Sequence, residues 1–435
     1  MRFIPTPLIP RLKIDVSGQE LSRLLISRLL LSSLLLLCIL GCTSSGGGDS
    51  NNSSSDFNSD SGDGGDFIPV NVETLRVTTF NVGLLPKFVP FADERVPELQ
   101  TALAASDTDV ICLQEVWRSD DAEQLRGSLA LRYPHSAIVP PRLKFATQLP
   151  VCTTDDVSDV LSCVVSNCLL GGQGIFECVS QQCEESFNQL AGSNPQCADA
   201  ITAQAGKSAT DILEIQDELF SDTEPAPLYP FEGSAGLLLA SKYPLQNVQT
   251  LDFFDFSTTS RRAALFATVT VNGRDQTIAC THLASDLDGI IPYTGRFNSF
   301  EGESRVEAQQ MISFAAGYSG PNPQSLAGDF NCSETNAATG ATSDFPATCE
   351  SFRAAGYSDA AGVTLRCSFC TENILNMQNA TTSDNRDQVL DHVFTKTDLS
   401  TGLMARLLYT QTITIQGDSE NLSDHYGVQV TIPLR

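Results

Sequence analysis

Basic side chains are scarce in this chain: its 435 residues hold 26 Lys and Arg against 52 Asp and Glu, a formal net charge of −26. A field of that sign repels polyanions, which argues against a protein that grips nucleic acid through a broad basic face. Apolar runs are scarcer still. Only one segment, near the N-terminus, is apolar enough to enter a membrane, so a polytopic membrane protein is excluded. Histidine occurs four times and tryptophan once, so a His that falls inside a motif is informative. With 41% apolar and 18% charged residues the chain is not disordered as a whole. Cysteine is abundant: fourteen are too many for an ordinary cytosolic protein and point to an oxidising compartment.

The N-terminus supports that compartment. Arg2, Arg11, Lys13, Arg23 and Arg28 precede a run of apolar and small residues from Leu29 to Leu40, the layout of a charged n-region and an h-region. The run ends Ile39-Leu40-Gly41-Cys42, which resembles a bacterial lipobox. Residues 1–41 are therefore expected to be a lipoprotein signal peptide and Cys42 a lipid anchor, with an outer-membrane or extracellular envelope location. Residues 42–73 read as a linker. Thr43 to Asp66 holds 8 Ser, 6 Gly, 5 Asp and 3 Asn in 24 residues, a tether of about 27 Å by coil scaling. Cleavage would leave 21 basic and 50 acidic residues, a net −29.

From residue 74 to 435 short apolar runs alternate with turns and helical patterns, as in a mixed α/β domain. Strands are expected at 75–82, 109–116, 235–240, 262–271, 276–281, 325–327, 388–395 and 426–432, and helices at 94–105 and 122–133, the latter presenting Leu125, Leu129 and Leu131. Residues 142–230 break the rhythm and read as a Cys-rich acidic insertion. They hold six cysteines, 3 basic and 13 acidic residues, and a structureless loop of that length is rare inside a compact domain. Cys163 and Cys168 mirror Cys178 and Cys183 about a glycine turn. Two short helices stapled by Cys163–Cys183 and Cys168–Cys178, closed by Cys152–Cys197, would suit this spacing, one of fifteen connectivities. A zinc site is the alternative, although the insertion has no His.

The chemistry lies at strand ends. Asn81 closes VTTFN, Glu115 ICLQE, His282 IACTH, and Asp329 with Asn331 SLAGDFN; Asp391 and His392 lie in VLDHVF, and Asp424 and His425 precede a strand. Polar residues at the ends of several strands converge on one rim. Glu115, Asp329, Asp391 and Asp424 would repel one another there unless a cation neutralised them. An oxygen-rich, sulfur-free donor set favours Mg²⁺, with Mn²⁺ or Ca²⁺ as substitutes. A neutral imidazole beside such an ion can take a proton from water attacking a phosphoester.

The motifs NVG, LQEVW, SKYPL, THL, GDFN, LDHVF and SDHYGV stand in the order of the endonuclease/exonuclease/phosphatase superfamily. The chain resembles it over 74–135 and 231–433, and looks closest to bacterial neutral sphingomyelinases of the phospholipase C type. Gly83 replaces an acidic residue of the abasic-site endonucleases, which disfavours DNA repair. The resemblance implies an α+β four-layer, DNase I-like sandwich of two mixed sheets flanked by helices, and Mg²⁺-dependent hydrolysis of a phospholipid or other phosphodiester. It assigns Glu115, with Asn81 beside it and Asp424, to the metal. His425 becomes the general base and Asp391 its orienter. Asp329 aligns the water, Asn331 contacts a phosphoryl oxygen, and His282 donates to charge developing in the transition state.

Other residues have plainer readings. His392 is a packing neighbour of Asp391 and His135 a surface residue in a loop. Trp117 is a rim or packing residue. Arg261 and Arg262 meet a lipid phosphate or begin a solvated strand. Cys112 and Cys280 are core thiols, and Cys332, Cys349, Cys367 and Cys370 form two bridges. The apolar cluster Ile290, Ile291, Pro292, Tyr293, Phe297 and Phe300 is a satellite core or a membrane contact. A secreted nuclease and a surface binding protein on a silent scaffold are the rival functions.

Overall fold

The computed structural model describes residues 73–168, 175–207, 211–378, 386–397 and 402–434. The expected signal segment, Cys42 and the linker up to residue 72 lie outside the described residues. The described residues form the strands β1 Thr74–Leu84, β2 Val110–Val116, β3 His135–Ile138, β4 Leu238–Ser241, β5 Leu245–Asp252, β6 Ala263–Val271, β7 Arg274–His282, β8 Gln324–Asp329, β9 Ser358–Asp359, β10 Asp391–Lys396, β11 Ala405–Leu408, β12 Thr412–Ile415, β13 Asp418–Asn421 and β14 Gly427–Pro433. One sheet has the order β11-β14-β1-β2-β4-β3 and a second β5-β6-β7-β8-β10-β9, while β12 and β13 form a hairpin. Both large sheets are mixed: β1 is parallel to β2 and antiparallel to β14, and β7 is parallel to β8, which is antiparallel to β10.

Period-two alternation sorts the side chains into layers. Val77, Val110, Val428 and Val430 of the first sheet meet Leu265, Ala267, Ile278 and Val393 of the second in a dry interface. The alternate residues Phe80, Ile111 and Leu113 face outward onto the helices Ala92–Ala104 and Ser119–Leu129 through Leu99, Leu103 and Leu125. On the far side Phe266, Leu326 and Phe394 take the helix Phe300–Ser319 through Ala308 and Met311, together with the Cys-rich segment. The result is the expected helix–sheet–sheet–helix sandwich.

Several expectations shift. The second helix ends at Leu129, and Leu131, placed on its buried face, is fully exposed in the following turn. His135 begins β3 rather than lying in a loop. Arg261 is buried, its guanidinium held by Asp252 at 2.9–3.1 Å and by the carbonyls of Pro140 and Gly233, and Arg262 is buried beside it, so neither begins a solvated strand. Of the apolar cluster after His282, Ile291 and Phe300 are buried in the core and the Tyr293 hydroxyl donates inward to Glu303 at 2.9 Å, while Ile290, Pro292, Tyr293 and Phe297 are half-buried. His392 turns away from Asp391 because neighbouring strand residues face opposite ways; its ring sits 3.0 Å from Asp359 and 2.9 Å from the Cys332 carbonyl.

The Cys-rich segment is helical, with Ser158–Asn167 and Ile175–Gln182 stapled by Cys163–Cys183 and Cys168–Cys178, and Cys152–Cys197 closing the base. Cys332 pairs with Cys349 and Cys367 with Cys370. Cys112 and Cys280 are buried as expected but are bridged, not free, because β2 and β7 carry them to facing positions on opposite sheets. All twelve cysteines among the described residues are thus expected to resist alkylation in unfolded, unreduced protein. Labelling at Cys112 or Cys280 would contradict the cross-sheet bridge.

Candidate active site

The strand directions bring the predicted residues to one rim. His282 and Asp391 both pair in register with Asp329, so the three stand side by side at the ends of β7, β8 and β10. From the first sheet come Asn81 of β1 and Glu115 of β2, while Asp424 and His425 immediately precede β14. Asn81 joins the sheets: its amide nitrogen donates to Glu115 at 3.1 Å and to Asp329 at 2.9 Å. His425 is anchored through Nδ1 on Asp391 at 2.8 Å, leaving Nε2 3.9 Å from Asp329. His282 Nε2 lies 3.6 Å from the same Asp329 oxygen. The Asn331 side chain donates to the Leu283 carbonyl at 2.9 Å, and its backbone N–H donates to Asp329 at 2.9 Å.

The backbone is held in costly conformations here. Glu115 and Asn331 have φ of 57° and 47°, left-handed values that cost non-glycine residues about 1–3 kcal/mol each and concentrate at functional sites. Gly83 also has positive φ, and a Cβ there would stand 2.5 Å from an Asp424 oxygen. A side chain at 83 would therefore strain the backbone and require the Asp424 carboxylate to shift.

Sequence reasoning missed Arg95. It sits among the apolar residues of its helix, yet it is wholly buried and donates to the carbonyls of Val82 at 2.8 Å, Leu422 at 2.7 Å, Pro90 and Gly83. It fastens the end of β1 to the loop carrying Asp424. Burial draws it down to about 10 against the pull of Asp424 and Glu115. No local pattern marks such a residue, since its partners are all backbone.

The carboxylates carry excess charge. Burial and then Asp424 push Glu115 up to about 7, and burial and Asp391 push Asp329 up to about 6. Burial works against a proton on His425, but Asp391, Asp329 and Asp424 outweigh it and lift the imidazole to about 10. Burial, Arg262 and His425 hold His282 well below its ordinary range. Among the described residues, one Asp391 oxygen and the Nδ1 of His282 are buried with no protein partner. Acids raised from 4.5 and 3.8, and a histidine raised from 6.5, all make the native state bind more protons than the unfolded chain between about pH 4 and 10. Metal-free stability from these groups therefore falls as pH rises through that window. Melting in EDTA is expected at lower temperature at pH 8 than at pH 5; the opposite order would contradict this charge balance.

A cleft of about 390 Å³ opens onto Glu115, Asn331, Asp424 and His425. Leu85, Phe88, Leu287, Ile290 and Ile291 give it an apolar wall, and Thr202, Ala205 and Phe231 bring the Cys-rich segment and its end into the lining. Trp117 is both rim and packing: it lines the cleft while stacking on Phe231 at 5.8 Å and lying 6.0 Å from the His282 ring. Arg262 stands over Trp117 at 5.7 Å.

Comparison with curated protein sequences gives no match. Among solved structures, SmcL aligns at 13% identity and TM-score 0.49, covering 82% of this chain and 99% of that one. Sphingomyelinase C from Streptomyces griseocarneus aligns at 18% and 0.48, with 83% and 99% covered. Beta toxin from Staphylococcus aureus aligns at 13% and 0.47, with 82% and 99% covered. Likenesses this distant do not assign a substrate. The model of the endonuclease/exonuclease/phosphatase family matches residues 78–425, a span that contains every residue of the rim, and the chain belongs to this family of metal-dependent phosphoester hydrolases.

Proposed function

We propose that the protein is an exported, lipid-anchored phosphodiesterase of residues 74–435, with 142–230 as an insertion, that uses Mg²⁺ to hydrolyse a phospholipid-type phosphodiester as sphingomyelinases and phospholipases C do. The observation that carries this reading is the mixed lining of one cleft, in which Glu115, Asp424 and the carboxylate-anchored His425 stand with Leu85, Phe88, Leu287, Ile290 and Ile291.

The donor set fits a hard divalent cation: all its charged donors are oxygens, burial and a neighbouring carboxylate raise both Glu115 and Asp329, and one Asp391 oxygen has no partner among the described residues. Glu115 and Asp424 would hold the ion. As oriented, the Asn81 oxygen accepts from the Gly83 N–H at 3.0 Å, so Asn81 serves the ion by fixing Glu115. The chemistry a bound dication supplies is charge: it neutralises the carboxylates that keep His425 protonated and offsets the phosphoryl oxygens. Asp391 fixes the tautomer of His425 so that Nε2 takes the proton of the attacking water. Asp329, between the two imidazoles, orients that water. His282, kept neutral, donates to the oxygen on which charge develops. The apolar wall would receive the lipid portion while one phosphate occupies the rim, and the net −26 charge opposes a polynucleotide that must be gripped at several phosphates.

A hydrolysis panel tests the substrate class: sphingomyelin, phosphatidylcholine, inositol phosphates and plasmid DNA, each with Mg²⁺ or EDTA. Turnover of a choline phospholipid with Mg²⁺ is expected. Turnover of DNA and of neither phospholipid would replace the lipid reading with a nuclease. Export is tested separately by Cys42→Ser, which is expected to abolish lipid attachment and release the protein from membranes; unchanged fractionation with no lipid mass would contradict the anchor.

A further inference from the structure

The CxxC of the sequence, Cys367 to Cys370, takes no part in the chemistry above, yet its loop touches both halves of the proposed His425–Asp391 pair. Ser368 is wholly buried inside it. Its Oγ accepts the backbone N–H of Leu390 and of Asp391, each at 3.0 Å, which fixes the chain at the start of β10. Its carbonyl accepts the N–H of Tyr426 at 2.8 Å, which fixes the chain just after His425. The Phe369 ring lies 4.9 Å from the His425 ring, and Phe369 forms bridges to both Gln388 and His425. Three residues beyond Cys370, the Asn373 amide donates to the Ser423 carbonyl at 2.8 Å.

The bridge itself is ill placed for thiol exchange. Cys367 is 2% exposed and Cys370 0%, and both pack on Tyr426. A disulfide that no external thiol can approach, closing a loop of four residues whose interior serine and phenylalanine face the reacting groups, is built to hold those two residues still. β10 and β14 belong to different sheets, and no ladder hydrogen bond can fix the distance between a residue of one and a residue preceding the other. The loop supplies that missing connection.

We propose that the Cys367–Cys370 loop is a clasp in which Ser368 and Phe369 act as positioning residues, holding His425 and Asp391 in register across the two sheets. This rests on the reading of His425 as the base. Misplacement of a reacting group by about 1 Å can cost up to about 10²-fold in rate, and a clasp that acts only on alignment lowers kcat while leaving KM alone.

The test uses the whole protein with saturating Mg²⁺ and bis(4-nitrophenyl) phosphate as probe. Ser368→Ala is expected to lower kcat by about tenfold or more with KM changed by less than about twofold; Cys367→Ser/Cys370→Ser is expected to do the same. In an Asp391→Ala background, where the His425 ring has lost its anchor, Ser368→Ala is expected to cost less than about twofold further, because the aligned pair is already lost and coupled residues are non-additive. Wild-type kcat in Ser368→Ala, or an equal loss in both backgrounds, overturns the clasp; if the double cysteine variant does not fold, Ser368→Ala alone decides. An active His425→Ala overturns the base assignment and the clasp with it, whereas an inactive His425→Ala beside an unaffected Ser368→Ala overturns the clasp alone.

Discussion

His425→Ala is expected to lower kcat by about 10² to 10⁴-fold, the usual loss when a general base is removed, without loss of the fold. The ring is buried and held by a single side-chain hydrogen bond, to Asp391 at 2.8 Å, so its removal frees one carboxylate and leaves the sheet ladders intact. Asp391→Asn is expected to fall short of that loss, because the asparagine can still contact Nδ1 but no longer stabilises the protonated ring. Circular dichroism and melting of both variants separate chemistry from stability. Activity of His425→Ala within a few-fold of wild type would remove the histidine from the mechanism.

Glu115→Gln should separate function from stability in opposite directions. Losing a metal ligand is expected to raise the Mg²⁺ concentration needed for half-maximal activity by at least the roughly 10- to 100-fold that loss of an outer-shell partner costs. In EDTA at pH 8 the same variant should melt at higher temperature than wild type. Glu115 is buried beside Asp424 and pushed to about 7, so above that pH the wild type confines two like charges that glutamine reduces to one. A variant less stable in EDTA, with unchanged Mg²⁺ dependence, would show that Glu115 is a structural acid.

The rim was legible because the sequence marks strand ends. A polar residue terminating an apolar run is a local signal, and parallel pairing of β1 with β2 and of β7 with β8 necessarily delivers such ends to one side. The nested cysteines were legible for a similar reason, since their mirror spacing is a property of one short segment. What escaped depends on distant parts of the chain. Cys112 and Cys280 are 168 residues apart and meet only because the two sheets stack. Arg95 recognises backbone carbonyls from three separate stretches. β5 escaped because its middle residues are exposed and LQNVQTLD lacks the apolar alternation of a half-buried strand. The strand expected from Gln388 starts instead at Asp391, and Gln388 pairs with the clasp loop, a tertiary contact that no propensity encodes.

Whether this carboxylate rim is a divalent-metal hydrolytic centre is decided by the turnover of bis(4-nitrophenyl) phosphate by the wild-type protein after EDTA treatment and again after Mg²⁺ is restored. Turnover is expected to be lost in EDTA and regained with Mg²⁺. Equal turnover in EDTA, or none with Mg²⁺, Mn²⁺ or Ca²⁺, would contradict such a centre.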